Sequence, residues 1–297
     1  MNIGSLRTAT VKASRLLLRL HHHFHSKPLS VAPDPLTWFE VIGYTVLLES
    51  DVNSVVHCVE RSSLTEVVLR HRLRDALTRI NPKVPLSAIE AVISQVICTE
   101  NRNFFEKNRL FHKLLTEGVD VTYYKGDRTV RNKVWLVDMS NPLSNDWLVM
   151  HPLTVTDANH IYCLDVVVFI NGLPLAIVTG SHSRQKNATL KDAYLQLQTY
   201  KQQIPYFFSY NVFQVICCGD RAKVGTLTSD WKEFFPWRTI DGEDLPQNGE
   251  TELEVLIQGI FDKRRFLSLI KYFMIFDNNG NSKHLLRYPF CTMPYLK

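Results

Sequence analysis

The first residue of this chain whose setting suggests chemistry is a carboxylate in an apolar strand. Residues 162–182 read YCLDVVVFINGLPLAIVTGSH, and Asp165 is the one charge in the apolar run Leu164–Ile170. An unpaired carboxylate buried there is costly, so Asp165 needs a partner, and it can give a metal ion one hard oxygen ligand. Further on, Gln196 and Tyr200 stand four apart in a predicted helix. That spacing puts both on one helix face, where they can point at one substrate, although most such pairs are structural. Upstream, Arg70, His71, Arg72, Arg74 and Arg79 lie on the outer face of another predicted helix. They are set either to pair locally with Glu66 and Asp75 or to contact phosphates, which makes affinity salt-dependent. Asp138, at a predicted strand end, reads as a turn or cap residue.

Other chemistries lack their residues. The six cysteines (Cys58, Cys98, Cys163, Cys217, Cys218, Cys291) contain no CxxC pair and no zinc-type spacing. Cys217 and Cys218 fall in an apolar strand as core thiols, and a reducing cytoplasm is the default compartment. No GxxxxGK[ST] sequence is present to cradle ATP phosphates. No apolar run reaches the ~20 residues of a helical membrane span. The net charge of +5 is compatible with a polyanionic partner without requiring one.

The elements that must position these residues alternate between helical and strand patterning. Leu36–Leu48 reads as a helix end, a Gly-Tyr turn and a strand. Helices are expected over Ser63–Ile80, Leu86–Glu100 and Asn108–Glu117, the first stopped by Asn81-Pro82 and the third by Gly118. Strands are expected at Val119–Tyr124, Lys133–Asp138 and Trp147–Val155. They lead into a hairpin of Leu164–Ile170 and Leu175–Thr179 turned at Asn171-Gly172. A helix over Leu190–Gln203, a buried strand over Phe207–Gly219, an acidic loop over Glu243–Glu254, and a helix with a short strand over Ile260–Phe276 complete the pattern. Helices followed by antiparallel strands indicate a mixed α/β core. Met1–Ser30 carries Arg7, Lys12, Arg15, Arg19 and Lys27, no acid, and a run of His21, His22, His23 and His25. Residues 1–35 are therefore expected to be a basic, disordered tail.

Asp165, Asn171-Gly172-Leu173-Pro174-Leu175 and the strand after them resemble the N-terminal nuclease region of the type I restriction enzyme R subunit, a branch of the PD-(D/E)xK nuclease superfamily. RHRLRDALTRINPKVP, Gln196-x-x-x-Tyr200, Gly225-Thr226-Leu227 and Phe235-Pro236-Trp237-Arg238-Thr239 extend the likeness over residues 36–276. The resemblance implies a restriction-endonuclease-like α/β fold, a mixed sheet flanked by helices, and Mg²⁺-dependent hydrolysis of DNA. It makes Asp165 a metal ligand and puts Gln196 and Tyr200 beside the active site. It also implies methylation and specificity subunits as partners, a bacterial cytoplasmic location, and ATP-driven motor domains further along such chains. Residues 277–297 then read as the truncated start of the linker to a missing motor.

The chain departs from that family at the catalytic motif. Thr179 and Ser181 occupy the positions of the family's Glu and Lys. A neutral hydroxyl replaces the second metal-binding carboxylate, and Ser181 cannot carry the lysine's charge, so impaired cleavage is expected. Arg184, Lys186 and Asp192 are the nearby groups that could compensate. The alternative reading is a non-catalytic remnant that binds DNA or the methyltransferase subunits.

Overall fold

The computed structural model describes residues 35–48, 60–97, 103–157, 160–180, 188–241, 249–277 and 282–286. The basic tail with its histidine run, Ser181, Arg184, Lys186 and the first half of the acidic loop lie outside them. The chain opens with helix α1 (Pro35–Val41), strand β1 (Thr45–Leu48), and helices α2 (Arg70–Ile80), α3 (Leu86–Ile97) and α4 (Phe104–Glu117). Strands β2 (Val119–Lys125), β3 (Arg128–Val134), β4 (Trp147–His151), β5 (Leu153–Asp157), β6 (His160–Leu164), β7 (Val166–Ile170) and β8 (Leu173–Gly180) follow. Helices α5 (Leu190–Gln203) and α6 (Pro205–Phe208) lead to β9 (Phe213–Cys218) and β10 (Arg221–Gly225). Helices α7 (Glu252–Ile260) and α8 (Lys263–Tyr272) precede β11 (Met274–Phe276) and β12 (Lys283–Leu285). No helix among the described residues is long and apolar enough to cross a membrane.

The expected mixed α/β architecture is present as a six-stranded sheet in the order β1-β4-β7-β8-β9-β10. Strands β1 and β4 run parallel, as do β8 and β9, and the other neighbours run antiparallel. All five residues of β7 are buried, which requires helices on both faces of the sheet. Helix α5 lies across β8 and β9, and Phe266 of α8 packs on Phe213 of β9 with ring centroids 5.4 Å apart.

The central hairpin turns where the Asn-Gly pair predicts. Asn171 and Gly172 both take positive φ, 54° and 77°, the condition for a two-residue turn matched to strand twist. Asn171 is fully buried. Its Nδ2 donates to the Leu136 carbonyl and to Asn145 Oδ1, both at 2.9 Å, and its Oδ1 accepts the Asp146 N–H at 2.7 Å. Gly172 gives its carbonyl to the Leu69 N–H at 2.9 Å, and a Cβ added to it would lie 2.5 Å from the Leu69 oxygen. The turn thus doubles as the seat of the N-terminus of α2.

That contact explains the first correction: α2 begins at Arg70, not Ser63. Before it, Ser63 Oγ accepts the Thr65 N–H, Glu66 accepts the Ser62 N–H, and Arg61 holds the Leu64 carbonyl. These local bonds offer the backbone a non-helical alternative. The expected strand Trp147–Val155 is two strands, because Pro152 lacks an N–H for the ladder and the chain leaves the main sheet there. Its continuation β5 pairs with β6 as a separate ribbon. The strand expected over Leu164–Ile170 is likewise split, so Asp165 stands at the joint between β6 and β7, not inside a strand. The strand expected at Lys133–Asp138 is not formed: β3 ends at Val134 and begins in the polar stretch from Arg128. Helix α7 replaces part of the expected loop and is capped by Thr251, which accepts the Glu254 N–H.

Candidate functional site

Asp165 is held by its surroundings before any ligand is considered. Its Oδ2 accepts the Gly180 N–H at 2.8 Å, and its carbonyl meets His151 Nδ1. Both contacts arise because β4 and β7 leave the main sheet at the same level while β8 runs on to Gly180. Cys217, opposite Gly180 in the parallel ladder, comes close to the same carboxylate. Burial, and then the Asp165 charge, push the Cys217 thiol up to about 12, so it is an inert neutral thiol at physiological pH. It is half-buried, as is Cys218, where the sequence suggested core thiols.

Helix α5 brings the other two expected residues to this place. Gln196 Nε2 donates to the Tyr200 hydroxyl at 2.6 Å, and that hydroxyl donates to the Cys163 carbonyl at 2.9 Å. The i, i+4 pair therefore acts as a bracket between α5 and the end of β6, two residues from Asp165. Burial and the nearby Asp165 charge raise the Tyr200 pKa above its ordinary value, which keeps the phenol a donor.

Thr179 faces a different environment. It is fully buried and pairs with Ile216 across the ladder, and its Oγ1 has no hydrogen-bond partner. Fourteen positions separate it from Asp165. Asp192 does not supply the missing carboxylate at this point, because it closes the capping box of α5 and accepts both the N–H and the hydroxyl of Thr189 at 2.8 Å. Asp138 is the turn residue the sequence suggests, its carboxylate accepting the N–H groups of Ser140 and Asn141.

This donor set does not fit a resident Mg²⁺. The ion takes hard oxygens in octahedral geometry and commonly one or two carboxylates. Here one carboxylate already caps a backbone N–H, and its expected partner is a buried neutral hydroxyl. Among the described residues no group of three His, Cys, Asp or Glu side chains is arranged to hold a metal ion.

The basic face of α2 is mostly committed to structure, with partners other than those expected. Arg72 bridges Glu60 at 2.7 Å and Asp146 at 2.9 Å. Burial opposes its charge, yet these two carboxylates hold its pKa above the ordinary value. Arg74 pairs with Glu90, and Arg79 donates to the Ser144 carbonyl at 2.9 Å. These arginines staple α2 to α3 and to the loop before β4. Sequence reasoning missed a second polar centre, where Asn108 Nδ2 donates to the carbonyls of Phe208, Ser209 and Asn211. Lys283, fully buried, donates to Asn108 Oδ1 at 3.0 Å and to the Asn211 carbonyl at 3.1 Å. A lysine in a short polar strand gives no sequence signal of burial.

Comparison with known proteins adds the following. Residues 36–233 match the family model described as type I restriction enzyme R protein N terminus. The chain is 29% identical over 226 residues to the type I restriction enzyme HindI endonuclease subunit of Haemophilus influenzae, covering 75% of this chain and 21% of that protein. It is 28% identical over 237 residues to the putative type I restriction enzyme MjaIXP endonuclease subunit of Methanocaldococcus jannaschii, covering 73% and 23%. The chain therefore spans about a fifth of the length of these curated relatives.

Proposed function

We propose, since this chain belongs to the type I restriction enzyme R protein N-terminal family, that it is a PD-(D/E)xK-type nuclease domain whose own DNA-cutting site has lapsed. Hydrolysis of a phosphodiester needs an activated water and stabilisation of the charge that develops on phosphorus oxygens. What supports this reading is Thr179, a buried hydroxyl with no hydrogen-bond partner among the described residues, at the position we assign to the family's second carboxylate. Together with Ser181 in place of the lysine, the site lacks one anion and one cation. Losing both removes several kcal/mol of transition-state stabilisation, about a thousandfold or more in rate. Asp165 is left as an N–H acceptor at the end of β8, and Gln196 and Tyr200 as the bracket that fixes the joint beside it.

On this reading the domain's partners are DNA and the methylation and specificity subunits of a type I complex in a bacterial cytoplasm. Any ATP-driven movement of DNA falls to other parts of the assembly, since this sequence contains no P-loop. The test is nicking of supercoiled plasmid with Mg²⁺ by the natural chain and by Asp165→Ala. Both are expected to match the protein-free rate. Nicking by the natural chain that Asp165→Ala abolishes would overturn the proposal.

A further inference from the structure

The arginines of α2 are largely spent on staples, so the unspent positive charge must be sought elsewhere. Three exposed cations lie together on the β2–β3 ribbon. This is a separate two-stranded sheet, seven residues to each strand. Its register runs from Val119 opposite Val134 to Lys125 opposite Arg128, closed by Gly126-Asp127. Cross-strand partners share a face. The inner face carries Val119 and Val134, both buried, Tyr123, whose hydroxyl donates to the Lys83 carbonyl at 3.3 Å, and, at the exposed tip, the pair Lys125 and Arg128. The outer face carries Asp120, Thr122, Tyr124, Thr129, Arg131 and Lys133, and Tyr124 is 79% exposed.

Lys133 pairs with Asp120 at 3.5 Å. Lys125, Arg128 and Arg131 are exposed and hold no ion pair or side-chain hydrogen bond among the described residues. From base to tip the ribbon has four cations against two carboxylates, Asp120 and Asp127. Seven residues at ~3.4 Å each give an arm about 24 Å long. The major groove of B-DNA, about 12 Å wide, admits a ribbon of this kind, and phosphates line its rims.

We propose that the β2–β3 arm is a duplex-DNA contact, with Lys125, Arg128 and Arg131 on backbone phosphates and Tyr124 against the groove or sugar edge. This inference rests on the reading of DNA as a partner and gives that partner a surface. An added peptide strand is the less suitable occupant, because lysine and arginine along a ribbon edge discourage strand pairing. The ribbon is a sheet of its own, distinct from the one that carries Thr179, so DNA binding and DNA cutting can be tested separately in this chain.

The test is fluorescence anisotropy of the full chain with a labelled duplex of arbitrary sequence over a salt series. Three proteins are compared: natural, Lys125→Ala/Arg128→Ala/Arg131→Ala, and a control with equal charge removed elsewhere, Lys232→Ala/Arg264→Ala/Lys271→Ala. All six positions are exposed, and thermal melts check that each variant folds. The arm variant is expected to weaken binding and to make the plot of log affinity against log salt shallower by about 2 to 3, as the loss of three phosphate contacts requires. The control is expected to keep the natural slope. Tyr124→Ala is expected to weaken binding without changing the slope. Equal slopes for arm variant and control overturn the proposal, as does self-association of the arm variant with unchanged DNA affinity, which makes the cations edge guards. Failure of the natural chain to bind duplex at low salt also overturns it, while the lapsed-nuclease reading, judged by cleavage, stands.

Discussion

Thr179 is a fully buried hydroxyl with no hydrogen-bond partner among the described residues. A buried polar group left without a partner costs about 1 to 3 kcal/mol. Thr179→Val, which keeps the branched shape, is therefore expected to raise the free energy of unfolding by ~1 kcal/mol in urea denaturation. A loss of stability would mean that the hydroxyl is bonded after all. At this scale Asp165, Gln196 and Tyr200 are legible in the sequence as residue types with a spacing. Their actual partners are the Gly180 N–H and the Cys163 carbonyl, and backbone groups carry no sequence signature. Gln214 is another illegible residue: it is fully buried in β9 and neither amide atom finds a partner.

The hairpin turn at Asn171-Gly172 organises the elements, because it fixes the sheet register and receives α2 at once. Gly172→Ala introduces a Cβ at φ 77° and 2.5 Å from the Leu69 oxygen. It is expected to cost 2 kcal/mol or more, roughly the sum of backbone strain and a displaced helix terminus, read as a lowered urea midpoint. A change under ~0.5 kcal/mol would contradict the seating of α2 on this turn. The turn, α5 and the C-terminal end of α4 are all readable because Asn-Gly, Thr189 with Asp192, and Gly118 are local signals for local geometry. Strand β3 is not, since its outer face is solvent and it needs no apolar alternation. The break at Asp165 is a tertiary event that periodicity runs straight through, whereas the break at Pro152 has a local signal, the proline itself, within an otherwise continuous apolar pattern. The start of α2 is likewise set by the Gly172 carbonyl, about a hundred residues away, and by Ser and Thr side chains competing for the preceding backbone.

At the scale of the whole molecule, buried bases make folding depend on pH: Lys201, which burial pulls down to about 8, and with it Lys283 and His112. Burial pulls Lys283 down to about 7, and burial together with Lys283 pulls His112 down to about 3. Both folded values lie below the ordinary ones, so the unfolded chain binds more protons in each window and stability rises with pH there. His112 contributes a rise between about pH 3 and 6.5, and Lys283 one between about pH 7 and 10.5. Lys283→Met is expected to lessen the upper rise in melts taken from pH 7 to 10. An unchanged upper slope would contradict a buried, proton-shedding lysine beneath the β11–β12 clip. The proposal of a lapsed nuclease concerns the whole molecule too: a mixed sheet flanked by helices in which we assign Thr179 and Ser181 to the positions of a carboxylate and a lysine. It is tested most directly by restoring the two missing groups, Thr179→Glu with Ser181→Lys, and measuring Mg²⁺-dependent nicking of supercoiled plasmid beside the natural chain. The account predicts that only the restored protein nicks, and that adding Asp165→Ala silences it again. Nicking by the natural chain at a rate equal to the restored one would contradict it.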